Sequence, residues 1–134
     1  MKIQLATISL SILLLGCSST PESSIENMYE ALQDGNFLKF AKYTNDPVTR
    51  IYSVKALSTC SVDKSSYKDG DFSLLNDCFL EKYNNLDFKN IKISNLSEKK
   101  ADAELIVIED QTETLYKFTL RKGKDNWRVT YPRK

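Results

Sequence analysis

The chain contains no histidine. Ser-His-Asp triads, histidine metal sites and a histidine general base are therefore excluded. It has no surplus of either charge. The 19 Lys and Arg are balanced by 18 Asp and Glu, so the electrostatic footprint of a nucleic-acid binder is missing. It has no apolar run long enough to stay in a membrane. The uncharged, mostly apolar stretch Ile3–Leu15 is about 13 residues, where roughly 20 are needed for a helical span. There is no Gly-rich phosphate loop, Ser-Lys constellation, internal repeat or low-complexity stretch. No cofactor is implied.

What is present is ordinary for one globular domain. The chain is 41% hydrophobic and 28% charged, within the range from which a single core is built. The late basic residues Arg121, Lys122, Lys124, Arg128, Arg133 and Lys134 are expected to be a solvated sheet end and tail, not an anion site.

Residues 1–16 have the layout of a secretory signal. Lys2 supplies the positive start, Ile3–Leu15 the apolar segment and Gly16 a small residue at the cut. Leu14-Leu15-Gly16-Cys17 resembles the bacterial lipobox, although a small or β-branched residue is commoner at the position of Leu15. That resemblance implies cleavage between Gly16 and Cys17, a diacylglyceryl group on the Cys17 thiol and an acyl chain on its amine. Two or more chains give durable anchoring, at about 0.8 kcal/mol per buried CH2. Ser18 follows the cysteine where an acidic residue would imply inner-membrane retention, so the resemblance points to an outer-membrane lipid anchor with the domain in the periplasm. The alternative is a short core helix with a chance cysteine. Residues 17–24 are small and polar and are expected to be a lipidated tether, with one domain over 25–134.

With Cys17 modified, Cys60 and Cys78 remain. Two cysteines in an oxidising compartment are expected to pair. A metal site would lack its third and fourth ligands, and a cysteine nucleophile would lack a histidine to activate it.

The domain opens on helical spacing. Ser23 or Ser24 is a cap for a helix whose Ile25, Met28, Tyr29 and Leu32 share one face, and Gly35 suits its C-terminal end. Asn36 caps a short helix burying Phe37, Phe40 and Ala41. Asp46 as cap and Pro47 at the first helical position start a third helix carrying Val48, Ile51, Tyr52, Lys55 and Ala56. Residues 58–70 are expected to be a loop. Asp71 caps a helix from Phe72 to Tyr83, with Cys78 near its apolar stripe.

From Leu86 the period changes to two. Strands are expected over 88–93, with an irregularity near Asn90, over 101–108, over about 114–121 and from Trp127 to Pro132, with Gly123 able to take positive φ in the last turn. Helices first and then strands joined by short loops predict an α+β domain, its N-terminal helices packed on an antiparallel sheet of about four strands.

The stretch Tyr29-Glu30-Ala31-Leu32-Gln33-Asp34-Gly35-Asn36-Phe37, and Gly123-Lys124-Asp125-Asn126-Trp127-Arg128-Val129 near the end, resemble the first helix and last hairpin of the nuclear-transport-factor-2-like (cystatin-like) superfamily. Within it the chain is most similar to small bacterial lipoproteins with an uncharacterised domain of this type. The resemblance implies a curved sheet wrapped around the helices in a cone. Residues 48–83 depart from the simplest pattern. Some members use Tyr and Asp in the cone for isomerase chemistry, but no position here matches those residues one by one. The fold alone supplies no function.

Three features invite a chemical reading. Asp63, Asp69, Asp71 and the Glu109-Asp110 pair lack calcium-loop spacing, so no metal site is predicted. Asn95-Leu96-Ser97 matches a glycosylation acceptor, which a bacterial lipoprotein does not normally use. Tyr29, Tyr52, Phe118, Trp127 and Tyr131 are candidates for lining a cone pocket, against core packing as the simpler role. Two functions follow. A noncatalytic module that binds an envelope protein predicts a filled or narrow cone and an exposed apolar patch, and leaves open a homodimer through the sheet. A small-ligand binder or enzyme requires a deep pocket with a tyrosine or acid at its base and a perturbed pKa. The first is preferred from sequence because no catalytic set is visible.

Overall fold

The computed structural model describes residues 19–68 and 72–132, with the backbone alone at Ser66, Tyr131 and Pro132. The expected signal peptide, Gly16, Cys17 and the Asp71 cap lie outside the described residues. Within them the chain is α+β, with helices followed by a four-stranded antiparallel sheet.

Helix α1 is Pro21–Asp34. It starts one turn before the expected Ser23 or Ser24 cap, so the stretch expected as tether is helical from Pro21 and Ser24 is fully buried. The physical reason lies in the local chemistry. Pro21 at the helix start has its φ preset and no N–H to leave unbonded. Thr20 Oγ1 accepts from the Ser23 N–H at 3.1 Å, and Ser23 Oγ accepts in return from the Thr20 N–H at 3.1 Å, closing a capping box. The helix ends at Gly35, whose φ of 66° lets the Gly35 and Asn36 N–H groups donate back to Leu32 and Ala31.

Asn36 caps helix α2, Phe37–Lys42, by accepting from the Lys39 N–H. Helix α3 is Asp46–Ser58, capped by Asn45 and not by Asp46. The Asn45 side chain accepts from Val48 at 3.1 Å, which leaves Asp46 inside the first turn, where its charge favours the helix dipole. A 3-10 turn, Lys64–Ser66, interrupts the expected loop and is held by Asp63 accepting from Ser65. Helix α4, Ser73–Tyr83, has no side-chain cap bond. Its Cys78 and Phe79 are fully buried. Phe72, just before it, is 45% exposed but stacks on Phe37 at 5.3 Å.

The strands are β1, Asp87–Ser94, β2, Lys100–Glu109, β3, Thr112–Lys122, and β4, Trp127–Pro132, paired in chain order. The irregularity near Asn90 is a bulge. Pairing shifts between Lys89 and Lys92, and Asn90 has a φ of 59°. The β2–β3 hairpin closes on Asp110 and Gln111, both with positive φ, between the paired Glu109 and Thr112. This is the two-residue turn whose twist matches the strands. Gly123 does not use positive φ. Its turn closes instead through its N–H donating to Asn126 O at 2.8 Å.

Period-two patterning sets the faces. Ala101, Ala103, Leu105, Val107, Phe118, Leu120 and Val129 point inward and are buried, against Ile25, Met28, Tyr29 and Leu32 of α1. Each fully buried leucine contributes about 1.5–3 kcal/mol. The free edge of β4 is covered. Val129 donates to Tyr43 O at 2.8 Å and accepts from Asn45 at 3.0 Å, so the α2–α3 link pairs with a strand that would otherwise invite aggregation. Among the described residues no helix is long and apolar enough to cross a membrane.

Candidate functional site: a tyrosine-walled cleft

On α3, Val48, Ile51, Tyr52 and Lys55 fall at i, i+3, i+4 and i+7, which is one helical face. That face does not close fully onto the sheet. It forms one wall of a cleft of about 390 Å³, within the usual size of a small-molecule site. Lys82 and Tyr83 of α4 form a second wall beside it, with the Tyr83 ring against Tyr52. Tyr29 of α1 and Val107 and Phe118 of the sheet form the floor, all nearly fully buried. Glu109 and the 37% exposed Tyr116 stand at the outer side.

The aromatic rings are braced by one another. Tyr29 stacks on Phe88 at 5.2 Å, Tyr52 packs against Phe40 at 5.1 Å and Tyr83 at 5.7 Å, and Tyr116 stacks on Phe118 at 6.1 Å. The Cys60–Cys78 disulfide joins the residues just after α3 to the middle of α4, with Cα atoms 5.2 Å apart. The two walls are therefore covalently tied to each other.

Tyr29 is 1% exposed, and its hydroxyl is closed off from the cleft. It faces the Tyr52 phenol and hydrogen-bonds toward it, though outside ideal geometry. Burial pushes its pKa up, and the nearby Tyr52 phenol raises it further. Burial also pushes Tyr52 up to about 12, against a partly offsetting hydrogen bond that it accepts from Tyr29. Tyr83 is raised too, chiefly by burial and then by Tyr52 and Glu109. Its hydroxyl donates to the Tyr52 carbonyl at 3.4 Å. All three phenols therefore stay neutral at ordinary pH and can donate hydrogen bonds, but they cannot act as bases.

The charged groups lie outward. Lys55 is exposed and Lys82 half-buried, with its Nζ 5.8 Å from the Tyr83 ring centroid. Among the described residues the ion pairs are Lys39–Glu30 and Lys89–Glu113, so neither cleft lysine is held by a carboxylate. No group of three or more Cys, Asp or Glu side chains is placed to hold a metal among the described residues.

Of the residues singled out in the sequence, Tyr29, Tyr52 and Phe118 meet at this cleft. Trp127 is not part of its lining. It is 4% exposed and sits at the start of β4, where its backbone N–H donates to Ser19 Oγ at 3.2 Å. The Tyr131 side chain lies outside what is described. Lys55, Lys82, Tyr83 and Tyr116 were not singled out as site residues, and Glu109 was weighed only as a metal ligand. They come from separate elements, and only the helical spacing of Val48, Ile51, Tyr52 and Lys55 hinted at a shared face. No known family model matches the chain, and no characterised protein is significantly similar to it in sequence.

Proposed function

We propose that this chain is a small-ligand-binding domain, held at the periplasmic side of the outer membrane by lipid on Cys17. The observation that carries the reading is the open cleft itself, about 390 Å³, lined by the rings of Tyr52, Tyr83, Tyr116 and Phe118 and bearing Lys55 and Lys82 without a carboxylate partner among the described residues. The raised phenol pKa values and the lack of histidine favour binding over proton-transfer catalysis. The bulges at Asn90 and between Phe118 and Leu120 support a sheet that curves into the cone of nuclear-transport-factor-2-like domains. The disulfide fits an oxidising compartment.

The test is native mass spectrometry of the protein purified in mild detergent from its own envelope. The expected result is a mature chain starting at acylated Cys17, carrying a small-molecule adduct that a cleft-filling Val107→Trp variant loses. A chain with an intact leader would overturn the anchoring, and adduct-free wild-type protein would overturn the ligand.

A second reading has its own observation. Leu38, Phe72 and Leu80 are 60%, 45% and 44% exposed around the α1–α2 junction, where Phe72 stacks on Phe37 and Leu80 lies against Gly35. That apolar cluster suits an envelope-protein partner. On the outer sheet face Ile106 pairs with the 56% exposed Leu115, which is where a homodimer through the sheet would form. Co-purification of a stoichiometric protein, lost on Phe72→Ser, would favour the first of these, and concentration-dependent sedimentation the second.

A further inference from the structure

The charges and rings of the cleft narrow the class of ligand, given that the cleft is a binding site at all. We propose that it takes a small, flat, apolar molecule bearing one carboxylate, with its apolar end inward over Tyr29, Val107 and Phe118 and its carboxylate outward between Lys55 and Lys82. The polarity of the ligand follows from the gradient of exposure. Tyr29 is 1% exposed at the floor, Lys82 is half-buried on the wall and Lys55 is exposed at the rim. The floor offers an apolar surface, because Val107 and Phe118 form it with the Tyr29 ring while the Tyr29 hydroxyl is sealed and directed at Tyr52. Between floor and rim the molecule meets the rings of Tyr52, Tyr83, Tyr116 and Phe118, which favour a planar body that stacks offset or edge-on.

A single negative charge follows from the balance at the mouth. Lys55 and Lys82 carry two positive charges with no carboxylate bonded to either among the described residues. Glu109 carries one negative charge at the same mouth. Within the cleft lining these sum to one positive charge, which favours one anion, while Glu81 and Asp110, which line the neighbouring hollow with Lys82 and Glu109, oppose a second. A cationic ligand would have to place its charge against both lysines. A fully neutral one would leave them without a counter-charge in a partly enclosed site, where charge interactions are stronger than in bulk water.

The test uses three fluorescent probes that differ only at one end: a hydroxynaphthoate, its primary carboxamide and the matching trimethylammonium compound. Fluorescence anisotropy reads binding to the full mature protein with its disulfide intact. The expected result is that the carboxylate binds about tenfold more tightly than the carboxamide and that the ammonium compound does not bind. Added salt should weaken only the carboxylate. Joint Lys55→Gln and Lys82→Gln replacement should bring carboxylate and carboxamide to equal affinity, and Glu109→Gln should tighten the carboxylate. Equal binding of carboxylate and carboxamide to the wild-type protein would overturn the assignment of an anion and leave the cleft a ligand site. Binding of none of the three, or binding that survives Val107→Trp, would overturn the cleft as a ligand site as well.

Discussion

Gly35 lies so close to Leu80 that a Cβ at position 35 would come within 2.8 Å of the Leu80 Cβ and 2.7 Å of the Asn76 carbonyl oxygen. The contact locks the end of α1 onto α4 at the one described glycine with positive φ. Replacement by alanine meets two penalties, left-handed backbone and overlap with the backbone of α4. Together these should cost about 2–4 kcal/mol. Urea unfolding of Gly35→Ala should show that loss. A variant as stable as the wild type would mean that α1 and α4 are not packed this closely in solution.

The disulfide joins residues 18 apart in sequence. Opening a loop of that length should cost roughly 3 kcal/mol of stability in the chain-entropy account. Reduced wild-type protein and the Cys60→Ser, Cys78→Ser double variant should therefore melt at similar, lower temperatures. Because the bridge ties α3 to α4, both should also bind the hydroxynaphthoate more weakly. Unchanged melting on reduction would show that α3 and α4 are held by packing alone.

The element order was legible because the period of the pattern changes once, at Leu86, from helical to alternating. The positions of Leu105, Val107, Phe118 and Leu120 on the inner face follow from that alternation. Helix starts were less legible. The eye goes to the first apolar residue, Ile25, but the start is set by Thr20, Pro21 and Ser23, whose polar side chains settle the orphan N–H groups. The cleft was legible only in part. Tyr29 and Tyr52 stand out as aromatics, yet aromatic identity does not separate a lining tyrosine from the buried Trp127. Lys55, Lys82 and Glu109 come together only through tertiary packing, and no spacing in the chain marks them as partners.

Alkaline pH should unfold the domain through its buried phenols. A tyrosine whose folded-state pKa exceeds the ordinary 10.0 holds its proton more tightly when folded. Its contribution to stability is complete below pH 10 and is lost as pH climbs through the folded value, which for Tyr52 is about 12. Tyr52 alone accounts for about 2–3 kcal/mol over that interval, and Tyr29 and Tyr83 are shifted in the same direction. Phenolate absorbance should show a late-titrating class that appears together with loss of helix by circular dichroism. Tyr52→Phe should make the fall with pH shallower. If every tyrosine ionised near pH 10 in the folded protein, the closed floor of the cleft would be refuted.

Tyr29→Phe should leave affinity unchanged while shifting Tyr52. The substitution keeps the ring stacked on Phe88 and removes a hydroxyl that is sealed from the cleft and hydrogen-bonds toward Tyr52. That bond holds the Tyr52 pKa down, so its loss should make Tyr52 titrate later in phenolate absorbance. The hydroxynaphthoate meets the floor through its apolar end and should bind within about twofold of its wild-type affinity. Weakening by about tenfold would show that the hydroxyl reaches the ligand, and an unshifted Tyr52 would show that the two phenols do not bond in solution.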